Sequence, residues 1–454
     1  MKKVITILIS LIMLAACGNN TQQIDDKNYD LNFIDVNYDI ENAQNIVLDD
    51  EDIEINKAGT YNLSGILDDG HIVIDASEED EIILLLNDVS IYSDDFSCIY
   101  IKKAKLVKLV LLDNTNNILC DDDEYDEDKI DGTIYSKATL IIDGKGTLNV
   151  EANYANAIVS KKDLIILDGT INITSKNHGI EGKDSVRIKD GTITINSGKH
   201  GIESANDKDI NKGYVYIAGG SIDVNTNGDG IQAYRLLQVD GGNISINNCI
   251  EGLEGQYVII NDGNINITSI DDGINASDSS LDNDENYDKR IKLEDAYINI
   301  CGGNVYINAD GDGVDSNGEI NLYDGTLIID GPSLPNDQAF DYESHGYVYG
   351  GNALMIGSCG MAKSFSIGSK QCNLLYNTKK QYDKDSNITI TNNGDILFEH
   401  KSAKAFDSIL LTSPKIKDKD TITIKINDDI YEYKINNIVN SYGEVSFTPK
   451  KPRQ

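Results

Sequence analysis

Three short stretches of this chain gather acids around a glycine in nearly the same order: "NTNGDGIQA" (225–233), "SIDDGINAS" (269–277) and "NADGDGVDS" (308–316). Carboxylates and amides arranged this way supply hard oxygen donors. The chemistry open to them is to hold a divalent cation of the calcium type, which takes about six to eight oxygens in flexible geometry. The expected Ca2+ ligands are Asp229, Glu251, Asp271, Asp272, Asn275, Asp310, Asp312 and Asp315. Zinc is a poorer match, because the cysteines after Cys17 (98, 120, 249, 301, 359 and 372) show no CxxC spacing and few histidines join the pattern. Those cysteines are expected to be mostly unpaired, buried thiols.

What positions the acids is a repeat. "LIILDGTINIT", "VRIKDGTITIN", "VYIAGGSIDVN" and "YVIINDGNINIT" alternate apolar and polar residues in short runs, which read as strands, and the chain shows no helical period. Two signatures recur along them. One is a turn dipeptide, as at Asp168-Gly169, Asp190-Gly191 and Asp262-Gly263. The other runs His178-Gly179-Ile180-Glu181, His200-Gly201-Ile202-Glu203, Asp229-Gly230-Ile231-Gln232, Asn248-Cys249-Ile250-Glu251, Asp272-Gly273-Ile274-Asn275 and Asp312-Gly313-Val314-Asp315. A period of about 22 residues built from short strands and glycine bends predicts an all-β parallel β-helix, one coil per repeat. Coils stack at about 4.8 Å. The glycines are expected to allow positive φ at the bends, and the following isoleucine to point inward. Equivalent positions then form vertical ladders, and Glu254 joins Asp271 and Asp310 along that edge. Unscreened carboxylates so close repel, and a cation between coils removes the penalty.

The chain of 454 residues is expected to divide into 1–16 (signal peptide), 17–45 (a polar tether), 46–352 (the β-helix) and 353–454 (a C-terminal antiparallel β cap or small β-domain). Lys2 and Lys3 precede the apolar "VITILISLIMLAA", too short to span a bilayer, which runs into "LAAC". This lipobox pattern predicts cleavage before Cys17, lipidation of its thiol and an extracytoplasmic protein anchored to the membrane through lipid. A net charge of −36 argues against nucleic acid, whose phosphates demand clustered Lys and Arg.

"AGTYNLSGILDDGHIVIDA" (58–76), "NCIEGLEGQYVIINDGNINITSIDDGINAS" (248–277), "GDGVDSNGEINLYDGTLIIDGP" (311–332) and "AFDYE…GSCGMAKS" (339–364) resemble the carbohydrate-binding-domain family of bacterial, largely clostridial, cell-surface lipoproteins. The resemblance implies a right-handed parallel β-helix similar to pectate lyases, calcium between coils, and a plant-type, cellulosic or acidic polysaccharide as partner. It places Asp229, Glu251, Asp271, Asp272, Asn275, Asp312, Asp315 and Asp341 on the family's acidic motifs, with a departure at Asn248 and Cys249 where Glu-Gly is usual.

Sugar faces need aromatic platforms, and 24 tyrosines stand in for absent tryptophan; Tyr234, Tyr257 and Tyr287 are the expected carbohydrate contacts. A calcium-dependent lyase would further need a base, for which Lys183, Lys199, Arg235 and Arg290 are the basic residues near the ladder. No residue set for catalysis is assigned. The remaining alternative is a structural surface protein using calcium for stability alone.

Overall fold

The computed structural model describes residues 28–34, 36–49, 51–125, 129–278 and 295–443. Every regular element among the described residues is a strand. Most pair in parallel with a period of three. Thr139–Gly144 lies between Leu106–Leu111 and Asp163–Ile166. Thr147–Ala152 lies between Asn116–Asp121 and Thr170–Ser175, and Asn156–Ser160 between Gly132–Ser136 and Ile180–Gly182. Each repeat therefore gives one strand to each of three parallel ladders, and we call each such set of three a rung.

Alternation within the strands decides what lies inside. Ile180, Ile202, Ile231, Leu253, Ile274 and Val314 are buried completely and stand one on another by register. Each such side chain contributes roughly 1.5–3 kcal/mol by leaving water. Outward positions carry amide ladders: Asn149 donates to Asn116 at 2.8 Å and Asn172 to Asn149 at 3.0 Å. Asn264 and Asn304 continue the same device from Asn243 at 3.0 Å each.

The two glycine signatures do different work. In the turn dipeptides the glycine has positive φ, 124° at Gly169 and 117° at Gly191, and the aspartate before it accepts the glycine amide at 2.8 Å. The bend glycines 201, 230, 252, 273 and 313 do not have positive φ. They are glycine because space is lacking. A Cβ on Gly252 would stand 2.4 Å from both the Gly273 carbonyl oxygen and the Ile267 side chain. The expected conformational role thus holds for one set, and close approach of successive rungs explains the other. Gly252→Ala should cost about 1–3 kcal/mol, measured by urea unfolding, as overpacking against backbone does.

At the C-terminal end, Asn352–Gly357 pairs in parallel with Thr326–Asp330 but antiparallel with Phe406–Thr412. Asn373–Tyr382 adds to that antiparallel pair, and Phe365, Leu375 and Leu410 join the main core at this end. Asp395–Lys401, Asn387–Asn392, Thr421–Ile426 and Asp429–Lys434 form a separate antiparallel sheet. Cys98 and Cys249 are fully buried thiols, and Cys120 and Cys372 are also in the thiol form.

The described part of the segment expected as a tether packs onto the body. Phe33 and Val36 lie on Leu106, Ile141, Ile165 and Leu167, and Tyr29 and Leu31 on Tyr214, Leu236 and Tyr257. Two outward-facing cations of the strands, Lys108 and Arg187, are each 1% exposed beneath it. Lys108 Nζ donates to the Val36 carbonyl at 3.0 Å and pairs with Asp143 at 2.7 Å. Arg187 donates to the Asp30 carbonyl at 3.1 Å.

Candidate functional site

Strand pairing is interrupted at each bend, and side chains complete it. At four rungs the side chain just before the bend accepts the amide of its equivalent one rung on. His178 N–H donates to Asn156 Oδ1 at 3.1 Å, Asp229 N–H reaches His200 Nδ1 at 3.0 Å, Glu251 N–H donates to Asp229 Oδ1 at 3.1 Å, and Asp312 N–H donates to Asp272 Oδ1 at 2.7 Å.

This chain of bonds corrects the alignment at 248–251. Ile231 pairs with Leu253 and Gln232 with Glu254, so the rung signature is Glu251-Gly252-Leu253-Glu254. The register shifts between Asn247 and Cys249, and Asn248 takes a φ of 53° while its amide donates to Asn225 at 2.8 Å. A bulge has moved the motif downstream, and no Glu-Gly is missing from this rung.

The position three residues on gives a second ladder, in register order Glu181, Glu203, Gln232, Glu254, Asn275, Asp315 and Asp341. The two ladders together bring ligand atoms of Asp229, Glu251 and Glu254 within 4.8 Å of one another, and likewise those of Asp272, Asp312 and Asp315. Asn275 links the groups, its Nδ2 donating to Glu251 Oε1 at 3.0 Å. Glu251 Oε2 and Asn275 Oδ1 are buried without a hydrogen-bond donor. Such an acceptor costs about 1–3 kcal/mol unless something positive meets it.

Burial pushes the Asp312 carboxyl up to about 8, with the charges of Asp272 and Asp315 adding to the effect. Burial and then the charges of Asp341 and Asp272 raise Asp315 to about 7; burial, with Asp271 adding, raises Asp272 to about 6. Glu251 and Glu254 are both pushed well above the ordinary carboxylate range, by burial first and by like charge second. At the far end Lys363 pairs with Asp341.

The expected ligands fall into two sets. Asp229, Glu251, Asp272, Asn275, Asp312 and Asp315 converge, and Glu254 belongs with them. Asp271 and Asp310 are exposed and outside the three-acid groups, and Asp310 pairs with Lys404. Their positions, each beside a bend rather than in a ladder, explain the difference.

Tyr257 is not a sugar contact: it is 1% exposed, its hydroxyl donates to Asp295 at 2.7 Å, and its ring lies 4.8 Å from Tyr297. Tyr234 is half-buried with the Arg235 guanidinium 5.0 Å from its ring centre, and Arg235 also donates to Gln256 at 2.9 Å. Lys183 and Lys199 are exposed. Tyr287, Arg290 and Cys17 lie outside the described residues.

Toward the N-terminal end the second ladder continues through Val159, Tyr135 and Tyr100. There it is aromatic, with Tyr125 and Tyr154 stacked at 4.1 Å. Sequence reasoning did not join these tyrosines to the acidic ladder, although their register with Glu181 follows from the same repeat.

The fold and site thus define an all-β, largely parallel protein with an acid-lined ladder along its bends. The family model described as carbohydrate-binding domain-containing protein matches residues 49–280 and 247–399, and the chain belongs to that family. A carbohydrate-binding domain-containing protein of Acetivibrio thermocellus is 32% identical over 177 residues, 37% of this chain. The match spans 62% of that relative's length. Among solved structures, the polysaccharide lyase-like protein from C. thermocellum, a gadolinium derivative, is 26% identical with a TM-score of 0.42, covering 62% of this chain and 96% of its own.

Proposed function

We propose that this chain is a calcium-dependent polysaccharide-binding lipoprotein of the cell surface, built as a right-handed parallel β-helix with an antiparallel C-terminal cap. The observation that carries the reading is the pair of buried, donorless oxygens, Glu251 Oε2 and Asn275 Oδ1, set among two three-acid groups on neighbouring rungs. A hard cation satisfies both oxygens and neutralises the acids around them. Asp229, Glu251 and Glu254 with Asn275 would hold one ion; Asp272, Asp312 and Asp315 would hold a second. Cys17 would carry the lipid anchor.

Membership of the carbohydrate-binding family supports a polysaccharide partner. The charge of −36 narrows its mode of binding. An acidic polymer meets repulsion from this surface unless cations bridge carboxylate to carboxylate, so calcium would serve both the fold and the ligand. Tyr234, part-exposed, offers a stacking face near the ladder.

The test is retention on polygalacturonate and on cellulose, with calcium and with excess chelator, while following ultraviolet absorbance of unsaturated products. Retention on polygalacturonate only in calcium, with no rise in absorbance, is the expected result. Equal retention in chelator would remove the bridging role. A rise in absorbance would make the protein a lyase. No retention on either polymer would leave calcium a structural ion.

A further inference from the structure

Two rungs before the acidic groups, the same ladders change their donor type. The position before the bend glycine is histidine in successive rungs, His178 and His200, and the second ladder supplies Glu203. Ligand atoms of these three side chains lie within 4.8 Å of one another. His178 Nδ1 is 3.0 Å from Glu203 Oε2, and the two imidazole rings are 5.0 Å apart. We propose that His178, His200 and Glu203 form a second kind of metal site, one for a borderline divalent cation of the zinc or cobalt type.

The donor chemistry separates this site from its neighbours. Two imidazoles and one carboxylate suit zinc, cobalt or nickel, whereas calcium prefers an all-oxygen shell. The surroundings suit a bound cation as well. His200 Nδ1 stands 2.9 Å from Asp229 Oδ2. In the tautomer that carries its proton on Nδ1, His200 gives that proton to the Asp229 carboxylate instead of accepting the Asp229 amide, and it keeps Nε2 for a metal, the arrangement by which a carboxylate orients a ligating histidine. Glu181 is the register neighbour of Glu203, and Lys161 is shared between Glu181 at 2.9 Å and Asp131 at 3.8 Å. Glu203 and Asp229 remain to balance a dication. In its other tautomer His200 accepts the next rung's amide on Nδ1, but that duty does not require imidazole: Asn156 accepts the His178 amide with an amide oxygen.

That equivalence supplies variants that keep the fold. His178→Asn and His200→Asn place at each bend the residue found at 156, and Glu203→Gln places on the second ladder the residue type of Gln232. The experiment titrates Co2+ into the untagged, chelator-stripped full chain in detergent and excess Ca2+, reading visible d–d absorption. One equivalent of Co2+ should bind, be displaced by Zn2+ and resist Ca2+. Each of the three variants, checked for native circular dichroism, should weaken it about tenfold or more, and His178→Asn should leave stabilisation by Ca2+ unchanged. The proposal is overturned by any of four results: no cobalt bands, displacement by Ca2+ mole for mole, undiminished binding in the folded variants, or a thiolate charge-transfer band marking cysteine as the ligand. Because the readout is made in saturating Ca2+, failure of this site and failure of the calcium reading are separate results.

Discussion

Stripped of divalent cations, this protein should lose stability steadily as pH rises from about 4 to about 8, and calcium should restore it most at the alkaline end. The sign follows from the acids of the ladder. Asp272, Asp315 and Asp312 hold their protons up to about 6, 7 and 8 in the folded chain, chiefly because burial disfavours their charge. A carboxyl whose pKa is raised on folding binds its proton more tightly in the folded than in the unfolded state. Protonation therefore favours the fold, and stability declines from the ordinary carboxylate range up through these three values. The decline should amount to several kcal/mol in chelator. Calcium acts in the opposite direction, since it binds the ionised folded form and adds about 2.7 kcal/mol at a hundredfold excess over its Kd. Thermal or urea unfolding across this pH range, with calcium and with chelator, measures both slopes. A flat or rising profile in chelator, or coincident curves with and without calcium, would sink the idea that these acids await a cation.

Much of this arrangement is legible in the sequence because β-structure writes itself in a period of two and the rung in a period of about 22. Ile202, Ile231, Ile274 and Val314 follow their glycines directly, and their complete burial is what alternation dictates. The failures have identifiable causes. At Asn248 a single bulged residue moves the motif, and four-residue signatures cannot distinguish "NCIE" from "EGLE" without the register. Tyr257 alternates correctly to the outside of its strand, yet outside is not exposed here, because Tyr29, Tyr297 and Asp295 cover it. That cover comes partly from the N-terminal segment, where Tyr29, Leu31 and Phe33 alternate inside a polar stretch. Leu31, Phe33, Ile34 and Val36 with two tyrosines in "NYDLNFIDVNY" stand outside the 22-residue repeat, so nothing in the pattern gives them a partner, and only the sheet they lie on makes them a packed segment.

Asp315→Asn should have effects of opposite sign in chelator and in calcium, and this reversal separates a metal ligand from an ordinary structural acid. Asp315 stands in register between Asn275 and Asp341, so asparagine at this position repeats a residue the ladder already holds one rung away. Its carboxyl is raised to about 7 by burial and by the charges of Asp341 and Asp272. In chelator at about pH 8, the substitution removes a buried like charge at nearly constant volume. Stability should rise by about 1–3 kcal/mol. In calcium the same change deletes a charged ligand and leaves a weaker amide donor, so affinity should fall about tenfold or more and the stabilisation by calcium should shrink with it. A carboxylate used only as a hydrogen-bond acceptor would destabilise the protein in both conditions when replaced, and a solvated surface acid would change neither. Urea unfolding of the parent and the variant, each with and without calcium, therefore assigns the role of Asp315 from the signs of two differences, independently of which polysaccharide the protein binds.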